Sequence, residues 1–296
     1  MVYSKNIAIV LSFVCLWLAS LLTSTLETIL GFVLILSFGI LHGSNDLLLF
    51  DKLALFNKRF SKLGILMGYI AVVAIVFVFF YILPLLALAL FIIFSAYHFG
   101  EQHWEHLKLD GAYALKSLFY LSYGLFILFL LFIFNKPEVI GIIDTIANFK
   151  IPPGFIDWAF VTTGLSFVIS AVYLGLRNKV LVLNSINEML YLLVFSVIFK
   201  ISSLIWGFAI YFVLWHSLPS LYDQINFVYQ KFNRKSLLDY IKNAIPYWLV
   251  SVIAILVFYY FFNAIDVFYA LFFSFLAAVT FPHSVTISKM FRKMNK

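Results

Sequence analysis

The sequence is short of charge. Asp, Glu, Lys and Arg make up only 11% of its 296 residues, against about 25% in an ordinary soluble domain. It is almost free of cysteine. Cys15 stands alone, which excludes an intrachain disulfide, and its place inside an apolar run reads as packing. There is no low-complexity segment and no internal repeat. No polar stretch is long enough to be a separate soluble domain.

What is present is apolar: 64% of the residues are hydrophobic and the mean hydropathy is +1.05. A helix needs roughly 20 apolar residues to cross the hydrocarbon. Candidate runs lie near 7–23, 28–49, 63–82, 84–99, 117–134, 158–176, 185–199, 201–221, 246–262 and 266–288. The runs 84–99 and 185–199 are short. The expected fold is an all-α polytopic integral-membrane bundle of about 8–10 spans, with 1–296 forming a single membrane domain. The first run is longer than a signal-peptide core and lacks a small-residue cleavage site, so it is expected to be a helix.

The net charge of +7 invites a nucleic-acid partner, but the pattern of charge excludes one. With the N-terminus in the cytoplasm and ten alternating helices, only Lys136, Lys150 and Lys200 of the 20 Lys and Arg residues fall outside. This is a strong positive-inside asymmetry, with both termini cytoplasmic. It predicts a multi-pass protein of the cell's inner (plasma) membrane. Between the spans, 136–157 reads as an outer loop. Within it Val139, Ile142, Ile143, Ile146 and Phe149 follow helical spacing, as in an interfacial helix, ended by Pro152-Pro153-Gly154. The stretch 222–245 reads as a basic inner loop. Ser185-x-x-Glu188 reads as a capping box opening the seventh helix.

Four of the six histidines share one depth. His42, His98, His216 and His283 each lie about 14–16 residues into an apolar run, and at about 1.5 Å per residue these depths agree to roughly 3 Å. All four sit near the ends of even-numbered spans, in the inner leaflet of this topology. An intramembrane histidine is costly without a partner. Four at one level point to a shared one, and a metal ion is the simplest, because neutral imidazole is a good ligand for iron, zinc or copper.

Each histidine has its own context. Gly43 lets a backbone or ligand approach His42. Asp46 lies one turn beyond if the helix continues, placed to orient a metal-bound imidazole; a polar cap at a helix end is the plainer alternative. His98 shares a helical face with Glu101, a second candidate orienter. His103 and His106 lie farther out among charged residues and read as solvated. His216 is followed by Pro219, and His283 is preceded by Pro282, so broken helices are expected beside both. Six histidines are too few for the boxes of a membrane di-iron desaturase. The 36 phenylalanines read mostly as lipid-facing bulk, with Tyr and Trp at the interfaces.

The elements His42-Gly43-x-x-Asp46, His98-Phe99-Gly100-Glu101, Trp215-His216-Ser217 and Pro282-His283 resemble those of the Brp/Blh family, over about residues 30–288. These are integral-membrane enzymes that cleave β-carotene centrally into two retinals. The resemblance implies an iron(II)- and dioxygen-dependent carotenoid dioxygenase of the β-carotene 15,15'-dioxygenase type. It implies His42, His98 and His216 as metal-binding, catalytic residues, and a microbial rhodopsin as acceptor of the retinal. The family's fourth histidine lies four residues after the third. Here that position is Ser220. Either His283 completes the site, or three histidines hold the metal, or the activity has changed. Two readings of other classes compete. One is a transporter or ion pathway using the histidines with Asp46 and Asp223 as a relay. The other is a non-catalytic, rhodopsin-associated membrane factor.

Overall fold

The computed structural model describes residues 5–53, 62–262 and 265–294; Lys58, Arg59 and Lys296 of the basic inner segments lie outside them. The described residues are helical almost throughout. The helices are α1 (Lys5–Ala19), α2 (Ser24–Leu34), α3 (Ile40–Gly43), α4 (Asp46–Leu53), α5 (Lys62–Ile82), α6 (Pro84–Trp104) and α7 (Tyr113–Phe134). There follow α8 (Lys136–Ala147), α9 (Phe155–Gly175), α10 (Lys179–Ile201), α11 (Leu204–Ile210), α12 (Leu218–Tyr229), α13 (Arg234–Phe262) and α14 (Ile265–Met294). Two π-helical stretches interrupt the series. Ile35–Gly39 joins α2 to α3, and Tyr211–Ser217 joins α11 to α12.

Each of the ten apolar runs corresponds to a helical unit. Eight units are long and apolar enough to cross a membrane, while Lys5–Ala19 and Leu66–Ile82 are shorter apolar helices. The protein is a polytopic helical membrane bundle. The span Leu204–Tyr229 lies at its centre, with 78% of its most apolar window buried, whereas Phe155–Gly175 has 11% and turns its side chains outward. Trp158, Leu183 and Ile186 are large exposed apolar side chains on α9 and α10, as a lipid-facing surface requires.

Glycine sets the closest helix contact. A Cβ on Gly100 of α6 would fall 1.9 Å from the Tyr120 carbonyl oxygen, and one on Gly124 of α7 would fall 1.8 Å from that of Ala96. The two backbones touch through this reciprocal pair, as small residues allow between membrane helices. The π-helical stretches meet similarly, since a Cβ on Gly39 would fall 2.4 Å from Phe212 Cε1.

The start of the central span is fixed by carboxylates. Glu27 Oε1 accepts from the Ser203 backbone N–H at 3.0 Å and from its hydroxyl at 2.9 Å. Glu138 Oε2 accepts from the Leu204 N–H at 3.2 Å. Anionic groups at a helix N-terminus satisfy its free donors and complement its dipole.

Several local expectations are corrected. The segment 222–245 is not a loop. α12 runs to Tyr229, Gln230 takes a left-handed conformation (φ 58°), and α13 begins at Arg234. Asn233 Oδ1 accepts from the Ser236 N–H at 2.8 Å, and Ser236 Oγ from the Asn233 N–H at 2.9 Å. This reciprocal cap starts a helix whose first turns are polar, and the polarity alone had suggested a loop. Ser185-x-x-Glu188 does not open a helix, because α10 begins at Lys179 and Ser185 bonds back to the Val182 carbonyl. α8 is ended by left-handed Asn148 (φ 47°), ahead of the prolines. α14 continues through Pro282, and Pro219 falls in the first turn of α12, where its missing N–H costs nothing.

Candidate metal centre

Four helical segments bring one imidazole each to a single point. His42 ends α3, His98 lies in the last third of α6, His216 sits in the second π-helical stretch and His283 in α14. All four are buried. Their rings form a closed circuit. His42 to His283 is 4.8 Å between centroids, His283 to His98 5.2 Å, His98 to His216 4.7 Å and His216 to His42 5.2 Å. Each ring stands at 80–88° to its two neighbours. Phe99 and Phe212 close the wall beside His216, with ring centroids at 4.6 Å and 5.6 Å.

The donor set fits a metal ion. His42, His98 and His283 each offer a ring nitrogen such that all three lie within 4.8 Å of one another. Among the described residues these form the one such group of three or more. His216 stands at the remaining corner. His42 Nδ1, His283 Nε2 and both ring nitrogens of His98 and His216 are buried with no hydrogen-bond partner. Buried polar atoms are seldom left so. Several imidazole acceptors facing one point, without donors, are what a metal ion satisfies.

The expected orienting carboxylates are placed differently from the sequence reading. The helix does not continue from His42 to Asp46. It stops at Gly43, turns through Ser44 and Asn45, and restarts at Asp46. The turn carries Asp46 toward α14, where its Oδ1 lies 2.7 Å from His283 Nδ1. His283 can thus keep its N–H on Nδ1 and turn Nε2 inward, the arrangement by which an outer carboxylate fixes the tautomer and aim of a ligand. Glu101 accepts from Ser288 Oγ at 2.7 Å and Tyr97 OH at 3.2 Å. It lines a separate cleft of about 250 Å³ with Lys116 and Arg292, and its hydrogen bonds lead away from the imidazoles.

The outer histidines divide. His106 is half exposed and meets Asp223 at 3.1 Å, in keeping with a solvated residue. His103 is not solvated. Its side chain is 6% exposed, with Nε2 at 2.6 Å from Glu188 Oε2, and Lys5 joins both. This buried pairing is the role of Glu188. Sequence spacing could not reveal it, because the partners lie 85 positions apart.

A second set of residues escaped the sequence reading. Tyr240 OH donates to Gln224 Oε1 at 2.6 Å and lies 3.3 Å from the His42 carbonyl oxygen. Gln224 Nε2 donates to Ser220 Oγ at 3.1 Å, and Asn45 Nδ2 to the Tyr240 carbonyl at 2.9 Å. The only signal in the sequence was Gln224 itself, an amide two turns beyond His216.

A family model described as Beta-carotene 15,15'-dioxygenase matches residues 33–291. The chain belongs to this family. The match spans both π-helical stretches and all four central histidines, and leaves α1 and most of α2 outside. As a member of the beta-carotene 15,15'-dioxygenase family, the chain pairs a carotenoid-dioxygenase relationship with a buried histidine cluster inside a membrane bundle. Neither the curated proteins nor the solved structures yield a match.

Proposed function

We propose that the chain cleaves β-carotene, or a close relative, at its central double bond with dioxygen, giving two molecules of retinal. The observation that carries this reading is the closed circuit of four buried imidazoles in a chain of this family. His42, His98 and His283 hold iron(II), with His216 at the fourth corner. Ser220, at the position of the family's usual fourth histidine, is occupied with Gln224, and His283 takes that ligand's part.

Bound iron(II) would supply the redox chemistry that lets dioxygen react with a polyene. The atoms balance without a further reductant: the central C=C breaks, and each half takes one oxygen atom as its aldehyde. The protein's share is positional. Asp46 holds the His283 proton on Nδ1. Phe99 and Phe212 keep water from the imidazoles and give the polyene an apolar wall. A carotenoid dissolves only in the bilayer, so a site within the bundle meets its substrate where it is available.

By the positive-inside asymmetry the protein lies in the inner (plasma) membrane with both termini cytoplasmic, α8 resting at the outer interface. The retinal formed suits a microbial rhodopsin as acceptor. The test is anaerobic purification with iron(II), then addition of β-carotene and air. Retinal at two per carotene supports the reading. Unchanged carotene in iron-loaded protein would leave a non-catalytic membrane factor.

A further inference from the structure

Tyr240 and Gln224 carry no ligand, yet they join the two parts of the metal centre that have least support of their own. His42 ends a helix of four residues. Backbone carbonyls at a helix end run short of partners, and the His42 carbonyl faces the Tyr240 hydroxyl at 3.3 Å. The next turn is tied to the same residue, because Asn45 Nδ2 donates to the Tyr240 carbonyl at 2.9 Å. Tyr240 therefore grips the His42 turn through its side chain and its backbone. Its one hydroxyl proton goes to the nearer acceptor, Gln224 Oε1, at 2.6 Å. Gln224 lies on α12, two turns beyond His216, and its amide nitrogen reaches Ser220 Oγ, one turn nearer, at 3.1 Å.

Ser220, Gln224 and Tyr240 are fully buried, and Asn45 nearly so. Inside a dry bundle such a chain of hydrogen bonds is rigid, because breaking one link leaves a buried polar group unsatisfied. Simple packing would have used apolar side chains here, as α13 does at Ile255 against Ile40 and Phe275.

We infer that Tyr240 and Gln224 are positioning residues of the metal centre: they lock the helix that carries His216 to the turn that carries His42, with Ser220 as the anchor. This rests on the metal-site reading above. The serine that replaces a ligand at 220 is then a working part. Its small hydroxyl leaves room for Gln224 and gives it an acceptor, where an imidazole would displace it.

The test is anaerobic titration of the purified, detergent-solubilised chain with cobalt(II), followed by its visible ligand-field absorption, beside thermal unfolding of the metal-free protein. Tyr240→Phe removes one hydroxyl, and Gln224→Met removes both amide bonds at similar volume. Each is expected to weaken cobalt binding about 10- to 100-fold, as outer partners of metal ligands do, and to shift the absorption bands. The double variant should bind no worse than the weaker single one, since the residues act as one unit. Ile127→Ala, a buried truncation on α7, should lower the unfolding temperature and leave cobalt affinity alone. Wild-type cobalt affinity and spectrum in Tyr240→Phe overturn the inference, whatever its unfolding temperature; if that variant does not fold, the same result in Gln224→Met overturns it. Failure of the unsubstituted chain to bind cobalt or iron is a different outcome, which removes the metal site and this inference together.

Discussion

Asp46 serves His283, which lies 237 positions away, and not His42, four positions before it: the Asp46 Oδ1 to His283 Nδ1 distance is 2.7 Å. The pair joins α4 to α14 and couples the first conserved-looking motif of the chain to its last histidine. Asp46→Ala should therefore lower iron retention after desalting about 10- to 100-fold. Asp46→Asn, which still accepts the imidazole proton, should lose less. Glu101→Gln should leave iron retention unchanged, because its contacts are Ser288 and Tyr97. Equal iron loss in Asp46→Ala and Glu101→Gln would contradict this division.

Metal binding should appear as stability. A ligand at about a hundred times its Kd stabilises the state that binds it by about 2.7 kcal/mol. Adding cobalt(II) at that excess should raise the unfolding temperature of the native chain. The increment should vanish in His42→Ala, His98→Ala and His283→Ala, and shrink in His216→Ala, whose nitrogens fall outside the tightest group. Retinal formation should be lost in all four.

The two outer histidines should behave unlike each other. His103→Ala removes the partner of a buried carboxylate, and breaking a buried pair costs about 3 kcal/mol even where one cation remains. His106→Ala opens a half-exposed contact and should cost less than about 1 kcal/mol. Neither should change the metal content of the folded fraction. Thermal unfolding and metal analysis on the same samples check both statements.

Gly100→Ala and Gly124→Ala should each cost at least about 3 kcal/mol, since the new methyl meets backbone that cannot turn aside. Gly68→Ala on α5, with nothing within 4 Å of the added atom, should be neutral or slightly stabilising. Yield and unfolding temperature in detergent distinguish them. Normal stability of Gly100→Ala would mean that α6 and α7 do not touch as described.

Composition made the bundle legible, because hydrocarbon leaves an apolar chain few folds besides helices. The histidines were legible for a related reason: polar residues at one depth in apolar helices must meet something. Partnerships between helices were not legible. Nothing in the spacing of Glu188 points to His103, and nothing in Tyr240 points to Gln224. Spacing even misled at Asp46, where an unbroken helix would have aimed the carboxylate at His42. The turn at Ser44 and Asn45 changes its direction. The prolines beside His216 and His283 suggested breaks, yet the helices absorb them, one in a first turn and the other within a continuous α14.

The two π-helical stretches give chain length a meaning that residue identity lacks. A π-bulge holds one residue more than the α-helical turn it replaces, and such bulges are frequent at functional sites. Deleting any one residue of Ile35–Gly39 would let the turn relax to ordinary helix and swing everything after it by about 100°, one residue's rotation. His42 would then face away from His98 and His283 although every side chain of the centre remained in the sequence. The same holds for His216 and a deletion within Tyr211–Ser217. A relative lacking one residue in either stretch would keep the whole motif set and still be unable to assemble the centre, so counting residues in these two segments sorts working members from spent ones better than matching their histidines.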